Sequence, residues 1–220
     1  MVRILDDFTI VPCRIPLQKE PGGWVKMTNI SSLRQSNGDI IFPDHPEFIP
    51  NVTPMEIFHW GSFGGTYFRP IYSCVTKKQY TDAWKEFPRD WFPKDAKRYV
   101  TSGDCQKSIN KYKATSGTSL RDWEENGWIM PIDPYGWVQW YLRFYDGRRS
   151  YDDARQIDRF NKIAGEQSGR WRKNLQNKII NKASQTKQHP SDLVDDYTIS
   201  PVIRQLLQQW AFVIKPHHLM

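Results

Sequence analysis

Cysteine is scarce in this 220-residue chain, and the three it has, Cys13, Cys74 and Cys105, lie far apart. An odd, scattered set is no disulfide framework, and without a Cys-x-x-Cys pair it is no structural zinc site. Reduced thiols in an intracellular chain are the simplest expectation. Long apolar runs are lacking too. None approaches the ~20 residues a bilayer span needs, so a soluble chain with no membrane partner is expected. The start, Met1-Val2-Arg3-Ile4-Leu5-Asp6-Asp7, interrupts its apolar residues with two acids, unlike a secretory leader. Histidine is sparse: His45, His59, His189, His217 and His218 form neither His-x-His nor His-Glu-x-x-His, so no metal and no cofactor is expected. No serine or cysteine occupies a recognisable nucleophile elbow. Internal repeats and low-complexity tracts are missing as well.

Aromatics, in contrast, are plentiful. Ten tryptophans and 14% aromatic residues argue for a packed core in a chain long enough to need no staple. Residues 1–50 read as an irregular arm, because prolines at 12, 16, 21, 43, 46 and 50 forbid a long helix. Residues 51–215 read as one helical core domain. Thr53, Pro54 and Glu56 spell a helix start with a capping box, and Gly61 closes that helix. Ser119 through Asn126 gives another short helix. In residues 135–146, Trp137, Trp140, Tyr141, Phe144 and Tyr145 recur at helical spacing. Val138 and Leu142 widen the stripe, so this helix should be buried nearly all round. Ser150 opens a further helix, a basic one runs from about Arg170 to Ala183, and Ser200-Pro201 starts the last. The sum is a mainly α, single-domain fold with minor β.

The chain carries a net charge of +7. Between Arg143 and Lys187 there are twelve bases and five acids, a surplus equal to that of the whole chain. Localised positive charge is the footprint of polyanion binding, and seven of the twelve are arginines, whose guanidinium groups fork onto phosphate. The expected nucleic-acid contacts are Arg143, Arg148, Arg149, Arg155, Arg159, Arg170, Arg172 and Lys173, with Trp171 as a base-stacking platform. The competing reading is a set of solvated helix faces, with Asp152–Arg155 and Asp158–Lys162 as ordinary helical ion pairs.

A second candidate is the loop Gly61-Ser62-Phe63-Gly64-Gly65-Thr66-Tyr67-Phe68-Arg69. Glycines let a backbone approach a ligand, and His59, Gly61, Gly64, Gly65 and Arg69 would line such a site. The loop matches neither a phosphate-binding nor a dinucleotide fingerprint. A tight turn that tucks Phe63, Tyr67 and Phe68 inward is the favoured reading of the loop. Asp133, Asp152 and Asp153 lie near arginines, which would keep them ionised rather than poised as acids.

Four stretches belong together: Gly61–Tyr67, Phe87-Pro88-Arg89-Asp90-Trp91-Phe92, Gly136-Trp137-Val138-Gln139-Trp140-Tyr141, and Gly147-Arg148-Arg149 through Arg155-Gln156-Ile157. As a set they resemble an uncharacterised family of conserved hypothetical proteins over residues 55–214. The resemblance implies one coherent domain and transfers no activity. Nucleic-acid binding through the basic helices at about 150–183 is therefore the leading expectation. Two alternatives stand beside it. One is an enzyme acting on a nucleic acid or phosphorylated substrate, with the glycine loop and His59 as its pocket. The other is an assembly subunit whose N-terminal arm holds a protein partner.

Overall fold

The computed structural model describes residues 32–220, together with four short strands before them: β1 (Thr9–Ile10), β2 (Lys19–Glu20), β3 (Gly23–Trp24) and β4 (Lys26–Met27). Cys13 and the proline breaks at 12, 16 and 21 lie outside the described residues. Among those described, seven α-helices carry the fold: α1 (Pro54–His59), α2 (Ala96–Tyr99), α3 (Leu120–Glu125), α4 (Trp137–Tyr145), α5 (Asp153–Ala164), α6 (Arg170–Thr186) and α7 (Pro201–Gln209). The later strands are equally short: β5 (Leu33–Arg34), β6 (Ile40–Ile41), β7 (Ile71–Ser73), β8 (Lys78–Tyr80) and β9 (Arg148–Arg149). They form one three-stranded sheet, β1-β5-β6, and three two-stranded pairs, β2-β3, β4-β9 and β7-β8. The protein is mainly α, and no helix of the described residues is long and apolar enough to cross a membrane.

Local chemistry sets the helix starts. Thr53 Oγ1 accepts the Glu56 amide while Glu56 Oε2 accepts the Thr53 amide, which closes the expected capping box on α1. Ser119 and Asp122 repeat the device on α3. At α7 the proline stands at the first turn as expected, but Ser200 does not cap. It adopts a left-handed backbone (φ 52°) and makes no side-chain cap bond. The basic helix runs on to Thr186, three residues past its expected end.

Helix α4 is the axis of the core. From Ile132 to Arg149 eighteen consecutive residues are buried. A helix apolar on every side has to be enclosed, and α4 is enclosed by rings: Phe144 meets Phe42 at 4.9 Å, and Phe48 meets Phe160 edge-on at 4.8 Å. Phe42 and Phe48 come from the stretch expected to be an irregular arm. Residues 40–50 thus belong to the core, because bulky rings alternate there with prolines that bend the chain around α4. Most polar side chains on α4 are provided for, Trp137 Nε1 excepted. Tyr141 Oη donates to Val52 O (2.8 Å), Trp140 Nε1 donates to Asp153 (2.8 Å), and Gln139 Oε1 accepts the Tyr135 amide (3.0 Å). The C-terminal segment closes the other side. Asn51 Nδ2 donates to Val213 O (2.9 Å), and its Oδ1 accepts the Val213 amide (2.8 Å).

Candidate polyanion face and aromatic cavity

The arginines just after α4 point inward. Gly147 turns the chain at the end of the helix, and β9 runs back along the core, so Arg148 and Arg149 are buried instead of forming the start of a positive surface. Burial of a guanidinium is tolerated only with a carboxylate beside it, and each has one. Arg148 Nη2 donates to Asp133 (2.5 Å), which also accepts from Arg143 Nη1 (3.0 Å). Arg143 further donates to both oxygens of Glu86 (2.9 and 2.7 Å) and to the carbonyl of Ile132. Arg149 forks onto Asp44 (2.5 and 3.0 Å) and lies 3.7 Å from the Phe144 ring centre. Beside this pair, Asp44 is held below the usual carboxylate range: desolvation pushes it up, and the Arg149 hydrogen bonds and charge outweigh that. Arg143, Arg148 and Arg149 are therefore framework residues, a correction to their expected place on a nucleic-acid surface. Counting charges in a sequence window misled because Asp44 and Glu86 lie 105 and 57 residues from their arginines.

Helix α5 divides its bases. Arg155 is bidentate to the buried Asp152 (2.5 and 2.8 Å), and Lys162 pairs with Asp158 on the exposed side (2.6 Å), as the competing reading had it. Arg159 is different. It is partly buried, has no carboxylate partner among the described residues, and donates from Nη1 to Gln156 Oε1 (3.0 Å). Its guanidinium carbon lies 5.6 and 5.3 Å from the ring centres of Trp128 and Trp210. Burial, with Arg155 nearby, pushes its pKa down to about 10, so it remains a cation at neutral pH.

Helix α6 is the one long element whose bases face solvent. Its seventeen residues include no carboxylate. Leu175, Ile179 and Ala183 bury one face. On the opposite face Arg170, Asn174, Asn177, Asn181 and Ser184 form an exposed line, with Lys173 on one side and Lys178 and Lys182 on the other. The Lys173 ammonium donates to Gln167 O (2.5 Å). Those of Lys178 and Lys182 make no hydrogen bond or ion pair among the described residues. Trp171 is half-buried against the core, with Arg170 5.2 Å from its ring centre. Arg172 turns away from the line and lies 5.1 Å from the Phe212 ring centre.

The glycine loop is a tight turn seated on residues 98–109. Gly61 and Gly65 have positive φ (62° and 89°), and a Cβ on them would come within 2.3 Å of Ile109 O and 2.0 Å of Arg98 O. The glycines thus serve backbone contact, not a ligand. His59 is exposed and lines neither of the two cavities that border the turn among the described residues. The other face of the turn does border two cavities. One, about 350 Å³, includes Gly64, Thr66 and Arg69, whose Nη1 donates to Thr66 O (3.1 Å). The second, about 420 Å³, joins Phe63 of the turn to Trp123, Trp128, Trp137, Trp210 and Arg159. Trp137 Nε1 is buried there without a hydrogen-bond partner, which costs about 1–3 kcal/mol. Sequence inspection missed this aromatic cavity. Its only signal was the number of tryptophans.

Asp133, Asp152 and Asp153 are buried and engaged, and none borders either cavity. The C-terminal histidines are packed. His218 stacks on Phe212 (5.0 Å), and His217 Nε2 lies 3.6 Å from Asp39. His218 Nδ1 accepts the Lys215 amide (3.0 Å). That places the proton of the neutral ring on Nε2, the atom facing Asp39; the ligand atoms of Asp39, His217 and His218 lie within 4.8 Å of one another, close enough to hold a metal ion, and His217 Nε2 has no hydrogen-bond partner among the described residues.

No protein-family model matches the chain, and no curated protein and no solved structure matches it. The family resemblance rests on the four sequence stretches alone.

Proposed function

We propose that the protein binds nucleic acid through the outward face of α6, with Arg170, Lys173, Lys178 and Lys182 on phosphates and Asn174, Asn177 and Asn181 between them. The observation that carries this reading is a long helix without a single acid, whose two central lysines have no partner among the described residues. Unpaired ammonium groups are ready to displace condensed counterions from a phosphate backbone. A helix of this length spans about 25 Å, enough to lie along several phosphates. Asparagine amides can donate to phosphate oxygen or to base edges. Arg143, Arg148 and Arg149 take no part, and Arg155 contributes little while Asp152 holds it.

The test is the double charge reversal K178E/K182E, measured by fluorescence anisotropy on labelled duplex and single-stranded oligonucleotides over a salt series. The expected result is weaker binding and a salt slope reduced by about 2. The control is K94E/K97E, two exposed lysines elsewhere, which changes net charge by the same amount. If both variants weaken binding equally, binding follows net charge rather than α6, and the proposal fails.

A further inference from the structure

We infer that the cavity between α3, α4, α5 and α7 is a binding site for a small planar aromatic anion. At about 420 Å³ it is of small-molecule size. Its walls are lined by the aromatic rings of Phe63, Trp123, Trp128, Trp137 and Trp210, and Trp128 is 41% exposed. Flat apolar groups stack on such rings. The polar complement is one-sided. Arg159 brings a cation into the wall, and the carboxylates nearest in sequence are already engaged, Asp158 by Lys162, Asp153 by Trp140 and Ser150, and Asp152 by Arg155. Among the indoles, Trp123 Nε1 is already engaged, donating to Thr118 Oγ1 (2.9 Å). Gln209 Nε2 donates to the carbonyls of Ser62 and Ser116 (3.0 and 3.3 Å) and leaves the neutral amide Oε1 as the residue's acceptor.

What is lacking is thus an acceptor with negative charge, carried on a body that fills an aromatic slot. A metal cation is disfavoured by Arg159. A bare phosphate would leave the ring faces unused, and a neutral arene would leave the guanidinium unmatched. Aromatic carboxylates and nucleoside monophosphates both meet the requirement. This site is independent of the α6 face and does not rest on that reading.

The experiment uses the full chain and two probe pairs: 2-naphthoate against 2-naphthamide, and adenosine 5′-monophosphate against adenosine. Tryptophan emission and calorimetry report binding. At least one anion should bind about tenfold more tightly than its neutral partner, the scale of one charge-assisted hydrogen bond. The pair that discriminates identifies the source of the anion. Arg159→Met should bring the ratio near one while keeping the neutral probe's affinity, which shows that the cavity is still folded. K178E/K182E should leave both ratios as they are, which separates this site from the α6 face. Equal binding of charged and neutral probes, an unchanged ratio in Arg159→Met, or no binding of either anion at about 1 mM would overturn the inference.

Discussion

Replacing Asp133 by Asn should destabilise this protein far more than its single charge suggests. Asp133 is fully buried and is the only hydrogen-bond partner of the Arg148 guanidinium among the described residues, where Arg148 Nε and Nη1 have none. Arg143 loses one of two carboxylates and keeps Glu86. Removing one member of a buried ion pair leaves a desolvated cation and costs about 3–5 kcal/mol. At about 2–4 °C per kcal/mol for a chain of this size, the melting temperature should fall by about 6–20 °C. The reference is Asp158→Asn, which breaks a pair of the same kind in solvent, its Lys162 and Asp158 side chains 69% and 57% exposed. That change should cost less than about 1 kcal/mol. Urea unfolding followed by tryptophan emission measures both. If Asp133→Asn lies within about 1 kcal/mol of Asp158→Asn, the arginines are hydrated or repaired by other groups, and their removal from the candidate surface was argued wrongly.

Two further perturbations probe other parts of the fold. Burial, with Arg172 next in weight, holds the His218 pKa far below its ordinary 6.5, at about 3. The folded state therefore resists the proton, so His218 contributes stability that is present above pH 6.5 and is lost as pH falls toward 3. His218→Gln should be less stable than the parent at pH 7, with the gap narrowing by pH 4.5 in urea titrations; a gap constant with pH refutes this. Gly65→Ala should cost more than about 2 kcal/mol, since φ is 89° and the new methyl would meet Arg98 O; thermal melts within 2 °C of the parent would contradict the seating of the turn.

The local grammar of the fold was legible in the sequence. Thr53 with Glu56 and Ser119 start their helices as their side chains dictate, and the aromatic density of 137–145 forces the burial of α4. Each of these signals spans a few residues. What the sequence concealed depends on pairs far apart in the chain. The acids Asp44 and Glu86 lie outside the basic window, so a surplus of bases read as surface where half of it is internal lining. The aromatic cavity gathers Phe63, Trp123, Trp137 and Trp210 from four separate segments, and no periodicity links them. Ser200 misled because its residue type suits a cap while its backbone lies in the left-handed region.

Asn51 and the segment after α7 give the molecule a particular order of completion. The two hydrogen bonds between Asn51 and Val213 join parts of the chain that a ribosome produces 162 residues apart. Ala211 O also accepts the amides of Asn51 and Val52. Until that segment has emerged, Trp137 lacks the Trp210 ring that lies 4.7 Å from it, and the nascent polypeptide presents greasy surface to whatever holdase is at hand. A stop codon a few positions upstream would leave the seam open for good.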